Sequence, residues 1–112
     1  MDAFEFQTQI RNFADYPVDL GPFYTVLGLQ EEVGKLSEKL RTSLKDNNGT
    51  FSDRDLQRLQ ISMGDILYYI VRMCIDMGIE LNDVLDICLK KQNLLKQKSV
   101  NEKLDKNNIK HT

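Results

Sequence analysis

The sequence predicts an all-α protein, a four-helix bundle with two long central helices. The chain has 112 residues, which suits one domain and leaves no room for two independent cores. Both of its prolines, Pro17 and Pro22, precede residue 23, so the strongest helix breaker is absent from the rest of the chain. Beyond that point apolar residues recur at spacings of three and four, and no segment alternates like a strand pair.

The first predicted helix is short and runs from about Asp2 to Ala14. Phe4, Ile10 and Phe13 supply its apolar side. The segment that follows contains both prolines and a glycine, which favour a turn-rich connection.

The second predicted helix runs from about Phe23 to Lys45. It carries one apolar stripe at helical spacing, formed by Leu29, Val33, Leu36, Leu40 and Leu44. The run DNNGT that follows offers Asn and Gly for a left-handed helix end.

The third predicted helix is capped by Ser52, continues to about Met77 and is closed by Gly78. Its central stretch ISMGDILYYIVRMCI is apolar on more than one side. A helix of this kind has neighbours on two sides, and a bundle of this size can hardly cover both. We therefore expect a second subunit against this helix and a homodimer or higher homo-oligomer.

The fourth helix is expected to begin near Asn82, with Val84, Leu85, Cys88 and Leu89 facing inward. We expect fraying or disorder after about Lys98, in a stretch rich in Lys and Asn. The predicted division is thus a helical domain over residues 1–98 and a flexible C-terminal tail over residues 99–112.

Composition excludes several classes of function. The net charge is −2, and the acidic residues concentrate before residue 90, which argues against a broad nucleic-acid-binding face. No apolar run approaches the roughly 20 residues of a membrane span, and the N-terminus does not resemble a signal peptide, so we expect a cytoplasmic protein. The two cysteines, Cys74 and Cys88, are expected to be buried free thiols. With His111 as the one histidine, Cys/His zinc sites and histidine-based triads are excluded.

Asp65 is the charged residue that stands out, because it interrupts the apolar centre of the third helix. Ser62, Tyr69 and Arg72 share its helical face. A buried carboxylate needs a cation, a metal or hydrogen bonds. The position is therefore either a structural pair with Arg72, a lysine or a tyrosine hydroxyl, or part of a functional site.

Gly34 and Gly64 lie inside the two long helices, where each costs about 1 kcal/mol relative to alanine. A glycine inside a helix usually marks the close approach of another helix or of a ligand. If the helices cross at these glycines, Glu31, Glu32 and Lys35 come near Asp65.

Two segments, GLQEEVGKLSEKL at 28–40 and GDILYYIVRMCIDMGIELNDVL at 64–85, resemble MazG-like nucleotide pyrophosphohydrolases. The signature of that family is E-E-x-x-E, followed by E-x-x-D on the next long helix. The similarity covers roughly residues 16–95. It implies an all-α homodimer that uses Mg²⁺ to hydrolyse a nucleoside triphosphate to a monophosphate and pyrophosphate. Carboxylates on two facing helices would form an oxygen cage for such a hard cation.

Carried over residue by residue, the resemblance implies catalytic roles for Glu31, Glu32 and Asp65. Of the four metal-binding acids, the positions of Glu32 and Asp65 are kept, whereas Lys35 and Ser62 replace the other two. The implied metal site, Glu32 with Asp65, is therefore weak or absent. Four carboxylates would carry −4, but these four residues carry −1, so the attraction for Mg²⁺ is much reduced. We expect the Lys35 ammonium to lie between Glu32 and Asp65, in place of the metal.

The resemblance also implies substrate contacts by Lys35, Tyr68 and Lys91, with Cys88 at the position of a nucleotide-contacting asparagine. Three hypotheses remain open. The protein is an active Mg²⁺-dependent nucleoside triphosphate pyrophosphohydrolase, a non-catalytic nucleotide-binding or regulatory helical dimer, or a plain helical interaction protein whose resemblance is accidental.

Overall fold

The structure, a computed structural model, describes residues 1–14 and 16–110, without the side chains of Val18 and of residues 108–110. Asp15, His111 and Thr112 lie outside the described residues, so the structure does not test the prediction made for His111. The elements in chain order are α1 (Ala3–Ile10), a 3₁₀ turn (Val18–Leu20), α2 (Gly21–Asn47), α3 (Asp53–Met77) and α4 (Leu81–Lys110). The described part of the chain contains four α-helices and no strand, which confirms the all-α prediction.

Helix α1 begins at an Asp2 cap, whose carboxylate accepts a hydrogen bond from the Glu5 amide at 2.8 Å. It ends at Ile10, four residues before the predicted end. The amides of Asn12 and Phe13 bond back over three residues, to Gln9 and Ile10, so the chain tightens into a turn there.

Helices α2 and α3 end with the residues that the sequence indicates. Asn48 takes a left-handed conformation after α2, with φ of 54°, and Gly78 does so after α3, with φ of 68°. Ser52 and Asp55 form a reciprocal capping box at the start of α3. The hydrogen bonds from Ser52 lower the pKa of the Asp55 carboxyl, which is therefore ionised at neutral pH.

The long helices α2 and α3 form an antiparallel hairpin, the main packing unit of the molecule. Its close contacts occur at Gly21 and Gly28. An added Cβ at Gly28 would lie 2.4 Å from the Tyr69 ring. At Gly34 and Gly64 it would meet nothing within 4 Å, so the expectation of a crossing at these two glycines is wrong for the single chain. Gly28 is thus a glycine that a neighbouring side chain requires, because the Tyr69 ring of α3 packs against it.

The small core lies at the open end of the hairpin, where Val71, Cys74 and Leu81 are buried and α1 covers them. The side-chain amide of Gln7, also buried, joins α1 to the α3–α4 connection and to the start of α4. It donates to the Ile79 carbonyl at 3.2 Å and accepts from the Leu81 amide at 2.9 Å. A side chain of α1 thus satisfies a backbone donor at the start of α4.

Helix α4 continues to Lys110, twelve residues beyond the predicted end. Residues 99–110 contain no proline or glycine to stop a helix. Whether the tail moves in solution stays a prediction. Leu85, Cys88 and Leu89 are exposed, so their expected inward orientation is wrong for the single chain. The reason is that α4 packs mainly on α1, near its start, and leaves the bundle beyond that contact.

The chain exposes far more surface than a compact monomer of its mass. Its accessible surface is 9005 Å², whereas about 6,300 Å² is expected for 13.0 kDa. Its radius of gyration is 19.5 Å, against about 13 Å for a compact domain of this length. None of the described helices combines the length and the hydropathy of a membrane span.

Candidate functional site

The hairpin has two unlike faces, because each helix turns by about 100° per residue and one stripe of each faces the other helix. On one side lie charged residues that solvent reaches to different degrees, here called the polar face: Glu31, Glu32, Lys35 and Asp65. On the other side lie exposed aliphatic residues, here called the apolar face: Val26, Val33, Leu40, Leu44, Leu56, Met63 and Leu67. Four of the predicted site residues of α2 and α3 fall on the polar face, and the fifth, Tyr68, contacts the segment after α1.

Lys35 pairs with both glutamates of its own helix. Its Nζ lies 3.2 Å from Glu32 Oε1 and 3.6 Å from Glu31 Oε1. The hydrogen bond to Glu32 is the main reason that the pKa of Lys35 is raised. The lysine side chain is 56% exposed, so water screens these pairs and they bind the lysine only weakly. The ammonium is thus held close to the glutamates and can still move to another anion.

Asp65 is exposed in the single chain, and its expected burial is wrong. This half of α3 is covered only on the side that faces α2, and Asp65 lies outside that side. Within the described part of the chain no ion pair joins Asp65 to Lys35 or to Arg72, so the expected lysine bridge from Glu32 to Asp65 is not formed. The structure brings the two acids onto one face without joining them.

Ser62, which stands where the resemblance expects an acid, is buried against α2. Lys39 donates a hydrogen bond from Nζ to its Oγ, at 2.5 Å. Lysines therefore occupy both regions where carboxylates would be needed. No cluster of three or more acidic, histidine or cysteine side chains able to hold a metal occurs among residues 1–14 and 16–110. As it stands, the single chain does not offer the oxygen cage that Mg²⁺ prefers.

The remaining two predicted substrate contacts are placed apart from this group. The Tyr68 hydroxyl donates to the Phe13 carbonyl at 2.6 Å, and its ring packs edge-on against Tyr69. Tyr68 therefore ties α3 to the segment after α1. Lys91 lies on the exposed part of α4, whose main contacts are with α1, and no described contact joins it to Lys35.

Among the described residues, the ion pair with both side chains buried joins Arg72 and Asp76, which sequence reasoning did not pair. Their side chains are each 3% exposed, and Arg72 Nη2 lies 3.1 Å from Asp76 Oδ1. Arg72 also donates from Nε to the Tyr16 hydroxyl at 2.7 Å, and its guanidinium lies 5.3 Å from that ring centre. The Tyr16 hydroxyl in turn donates to Asp76. The spacing of four between Arg72 and Asp76 on an apolar helix is the signal that could have found the pair.

Burial is the largest cause of a shift at Tyr16 and raises its pKa to about 12, with the hydrogen bond to Asp76 acting in the same direction. The Arg72 charge opposes that shift in part. The Tyr16 hydroxyl therefore keeps its proton at physiological pH, and its hydrogen bonds with Arg72 and Asp76 persist. The cluster of Tyr16, Arg72 and Asp76 attaches the segment between α1 and α2 to α3. The Arg72 and Asp76 side chains are buried and have no room to contact a ligand.

Comparison with known proteins gives one distant relative. The sequence is 26% identical to the Gene 37 protein of Mycobacterium phage L5 over 80 residues, which cover 71% of this chain and 70% of that protein. No protein-family model matches the sequence, and no solved structure matches it. An identity at this level does not establish a family, and the name of the phage protein describes no activity.

Proposed function

We propose that this protein is a MazG-like helical protein that binds a nucleoside triphosphate on the polar face of the hairpin, and that it works as a homodimer. In this proposal Lys35 contacts the phosphates directly, in place of part of a metal cage. Glu31, Glu32 and Asp65 surround that contact and limit which ligand fits.

The observation that carries the proposal is the position of the Lys35 ammonium. It lies within ion-pair distance of two glutamates that match the paired acids of the MazG-like signature. Lys35 is 56% exposed, whereas Glu31 is 70% and Glu32 14% exposed, so water reaches the ammonium and a triphosphate carrying several negative charges can compete for it with both glutamates.

The apolar face supports the homodimer. Leu67 and Met63 on α3 and Leu44 on α2 are each more than half exposed. The surface in excess of a compact monomer is about 2,700 Å², which is more than the roughly 800 Å² per partner that a standard interface buries. A second copy placed on this face leaves the polar face open to a ligand. The exposed apolar residues of α4 would gain cover from the same partner.

Titration calorimetry with a non-hydrolysable nucleoside triphosphate tests the proposal. We expect binding to wild type without added metal, and a loss of at least tenfold in affinity in Lys35→Gln. Lys90→Gln, which removes one exposed charge from α4, is the matched control and should bind like wild type. Binding that is absent from wild type, or equal in Lys35→Gln and wild type, would overturn the proposal.

The roles assigned by the resemblance are tested by restoring the acids with the double change Lys35→Glu and Ser62→Glu. If these positions correspond to metal ligands, the variant should bind Mg²⁺ measurably, whereas wild type should not. Lys90→Glu with Ser99→Glu adds the same charge on exposed positions of α4 and should not bind Mg²⁺. Failure of the first pair to bind would contradict the assignment of roles.

The second candidate function is an active Mg²⁺-dependent pyrophosphohydrolase, favoured by the retention of Glu31, Glu32 and Asp65. It predicts pyrophosphate release from a nucleoside triphosphate with Mg²⁺ or Mn²⁺, and loss of that release in Asp65→Asn. A panel of canonical and modified nucleotides that yields no pyrophosphate would exclude this candidate and leave the binding function.

The homodimer is tested by light scattering coupled to size-exclusion chromatography. We expect a mass near twice 13.0 kDa for wild type and a shift toward the monomer in Leu67→Lys. Asp83→Lys, a change to the same residue type at an exposed position of α4 outside the apolar face, should keep the mass of wild type. A monomeric wild type would refute the dimer.

A further inference from the structure

A cavity at the closed end of the hairpin, where α2 leads into the connection to α3, is not used by the proposed function. Its volume is about 240 Å³. Residues of both helices and of the connection line it, and they include Lys39, Thr42, Asn47, Phe51 and Arg58. The proposed function gives a role to Glu31, Glu32, Lys35 and Asp65, and none of these lines the cavity.

Two cations from facing helices meet at this cavity. Lys39 of α2 donates a hydrogen bond to the neutral hydroxyl of Ser62 and forms no ion pair in the described part of the chain. Arg58 of α3 lies one turn before Ser62 and forms no hydrogen bond or ion pair within the described part of the chain. Two positive charges held on facing helices repel each other, and an anion placed between them would remove that repulsion.

Two carboxylates also line the cavity, and both already have partners. Asp55 accepts a hydrogen bond from the Ser52 amide at 3.0 Å as part of the capping box. Glu38 lies 3.7 Å from Arg41, on the exposed surface of α2. No ion pair in the described part of the chain engages Lys39 or Arg58, and the Arg58 charge contributes to the lowered pKa of Asp55 without forming one.

The other walls narrow the class of ligand. Thr42 offers a hydroxyl and Asn47 a side-chain amide, whereas Phe51 and Leu59 present apolar surface. The volume exceeds that of a phosphate group, and the remaining space borders the aromatic ring. Arg guanidinium and Lys ammonium groups are the usual protein donors to phosphate oxygens.

We propose that this cavity binds a small phosphate monoester with a flat ring, its phosphate between Lys39 and Arg58 and its ring against Phe51. In this site the two positive charges bind the phosphate, and the apolar side chains bind the ring. It goes beyond the proposed function, since it requires neither a triphosphate nor the acids of the polar face.

Phenyl phosphate is the probe, with inorganic phosphate as the second arm, in titrations followed by calorimetry on the full chain. We expect Arg58→Gln and Lys39→Gln each to weaken phenyl phosphate binding at least tenfold. Arg54→Gln removes an equal charge from the preceding turn of α3, outside the cavity, and should bind like wild type. Phe51→Ala should weaken phenyl phosphate binding but leave that of inorganic phosphate unchanged. Circular dichroism on each variant confirms that the helices are retained.

The results separate this site from the polar face. Lys35→Gln should leave phenyl phosphate binding unchanged, even if nucleotide binding is lost. No binding of phenyl phosphate to wild type would overturn the inference, and so would equal binding by wild type and Arg58→Gln. If Arg54→Gln lost as much affinity for phenyl phosphate as Arg58→Gln, the ligand would respond to overall positive charge and not to the cavity. That result would overturn the inference as well.

Discussion

Two clusters of charged residues, one on α3 and one on α2, have similar distances between opposite charges but differ in exposure to solvent. Arg72 and Asp76 are buried, joined at 3.1 Å and closed by Tyr16. Lys35, Glu31 and Glu32 are exposed to different degrees and lie at comparable distances. The distance between opposite charges therefore does not decide what a cluster does.

Burial decides it. Removing one partner from a buried pair leaves a charge that water cannot reach, so such a pair is costly to break. An exposed pair loses little when it opens, because water replaces the partner. The buried cluster is suited to hold the fold together, and the exposed cluster is suited to exchange partners with a ligand.

The largest effect expected from this comparison is the loss of the Asp76 carboxylate. Asp76→Asn leaves the Arg72 guanidinium buried without a counterion, and should lower the free energy of unfolding by about 3 kcal/mol or more. Urea denaturation followed by circular dichroism measures this. Glu38→Gln removes an exposed carboxylate paired with Arg41 and serves as the control, with little change expected. Equal effects of the two changes would contradict the distinction.

A smaller effect is expected from Tyr16→Phe, which removes a donor to Asp76 and an acceptor from Arg72. We expect a loss of about 1–3 kcal/mol at neutral pH, the usual cost of an unpaired buried polar group. The pKa of Tyr16 is about 12 in the folded chain and near 10 when unfolded. The unfolded chain therefore loses this proton first, and the stabilisation present below pH 10 declines toward pH 12.

The pH dependence of that difference is itself a test. The gap in stability between wild type and Tyr16→Phe should narrow as the pH rises from about 10 to 12. Urea titrations of both proteins at several alkaline pH values measure it. A gap that stays constant over this range would show that the Tyr16 hydroxyl is not held in its neutral form.

The exposed cluster should respond far less to substitution. Lys35→Gln breaks both of its ion pairs, but the ammonium is already hydrated, so the midpoint of urea unfolding should stay within experimental error of wild type. The same variant should lose nucleotide affinity. A large loss of stability would instead give Lys35 a structural role.

The smallest structural effect, and a separate test of burial, comes from the two cysteines. Burial raises the pKa of the Cys74 thiol, whereas Cys88 is exposed on α4. In native protein a thiol reagent should modify Cys88 readily and Cys74 only on unfolding. Cys88→Ser should abolish the fast phase. Fast modification of both thiols would contradict the position of Cys74 in the core, and protection of both would indicate that an interface covers Cys88.

Sequence patterns predicted the elements of this fold well where the signal is local. The Ser52 cap, the left-handed Gly78 and the periodicity of α2 and α3 depend on residues within one or two turns, and the structure confirms them. The end of α4 was placed too early, because a run of Lys and Asn was taken as a tail although no helix breaker ended it.

The candidate site was harder to predict, since it depends on which side of each helix is covered. Asp65 lies among apolar residues in sequence, which suggested burial, but it is exposed because it lies outside the side of α3 that α2 covers. The contacts of Gln7 join residues more than seventy positions apart, and no local pattern in α1 indicates them. Burial of a side chain is a property of its neighbours, and these are not visible in the spacing of one helix.

The Gln7 contacts also have a consequence for the order in which the chain folds. The hairpin needs only a short loop to close, whereas the Gln7 bonds join α1 to the start of α4, more than seventy residues along the chain. Closing a long loop costs more entropy, so the hairpin can form first and the attachment of α1 last. Thermal motion that opens the Gln7 bonds would then release α1 and the start of α4 while the hairpin stays paired. Amide hydrogen exchange would show this as a terminal region of low protection beside a slowly exchanging pair of helices.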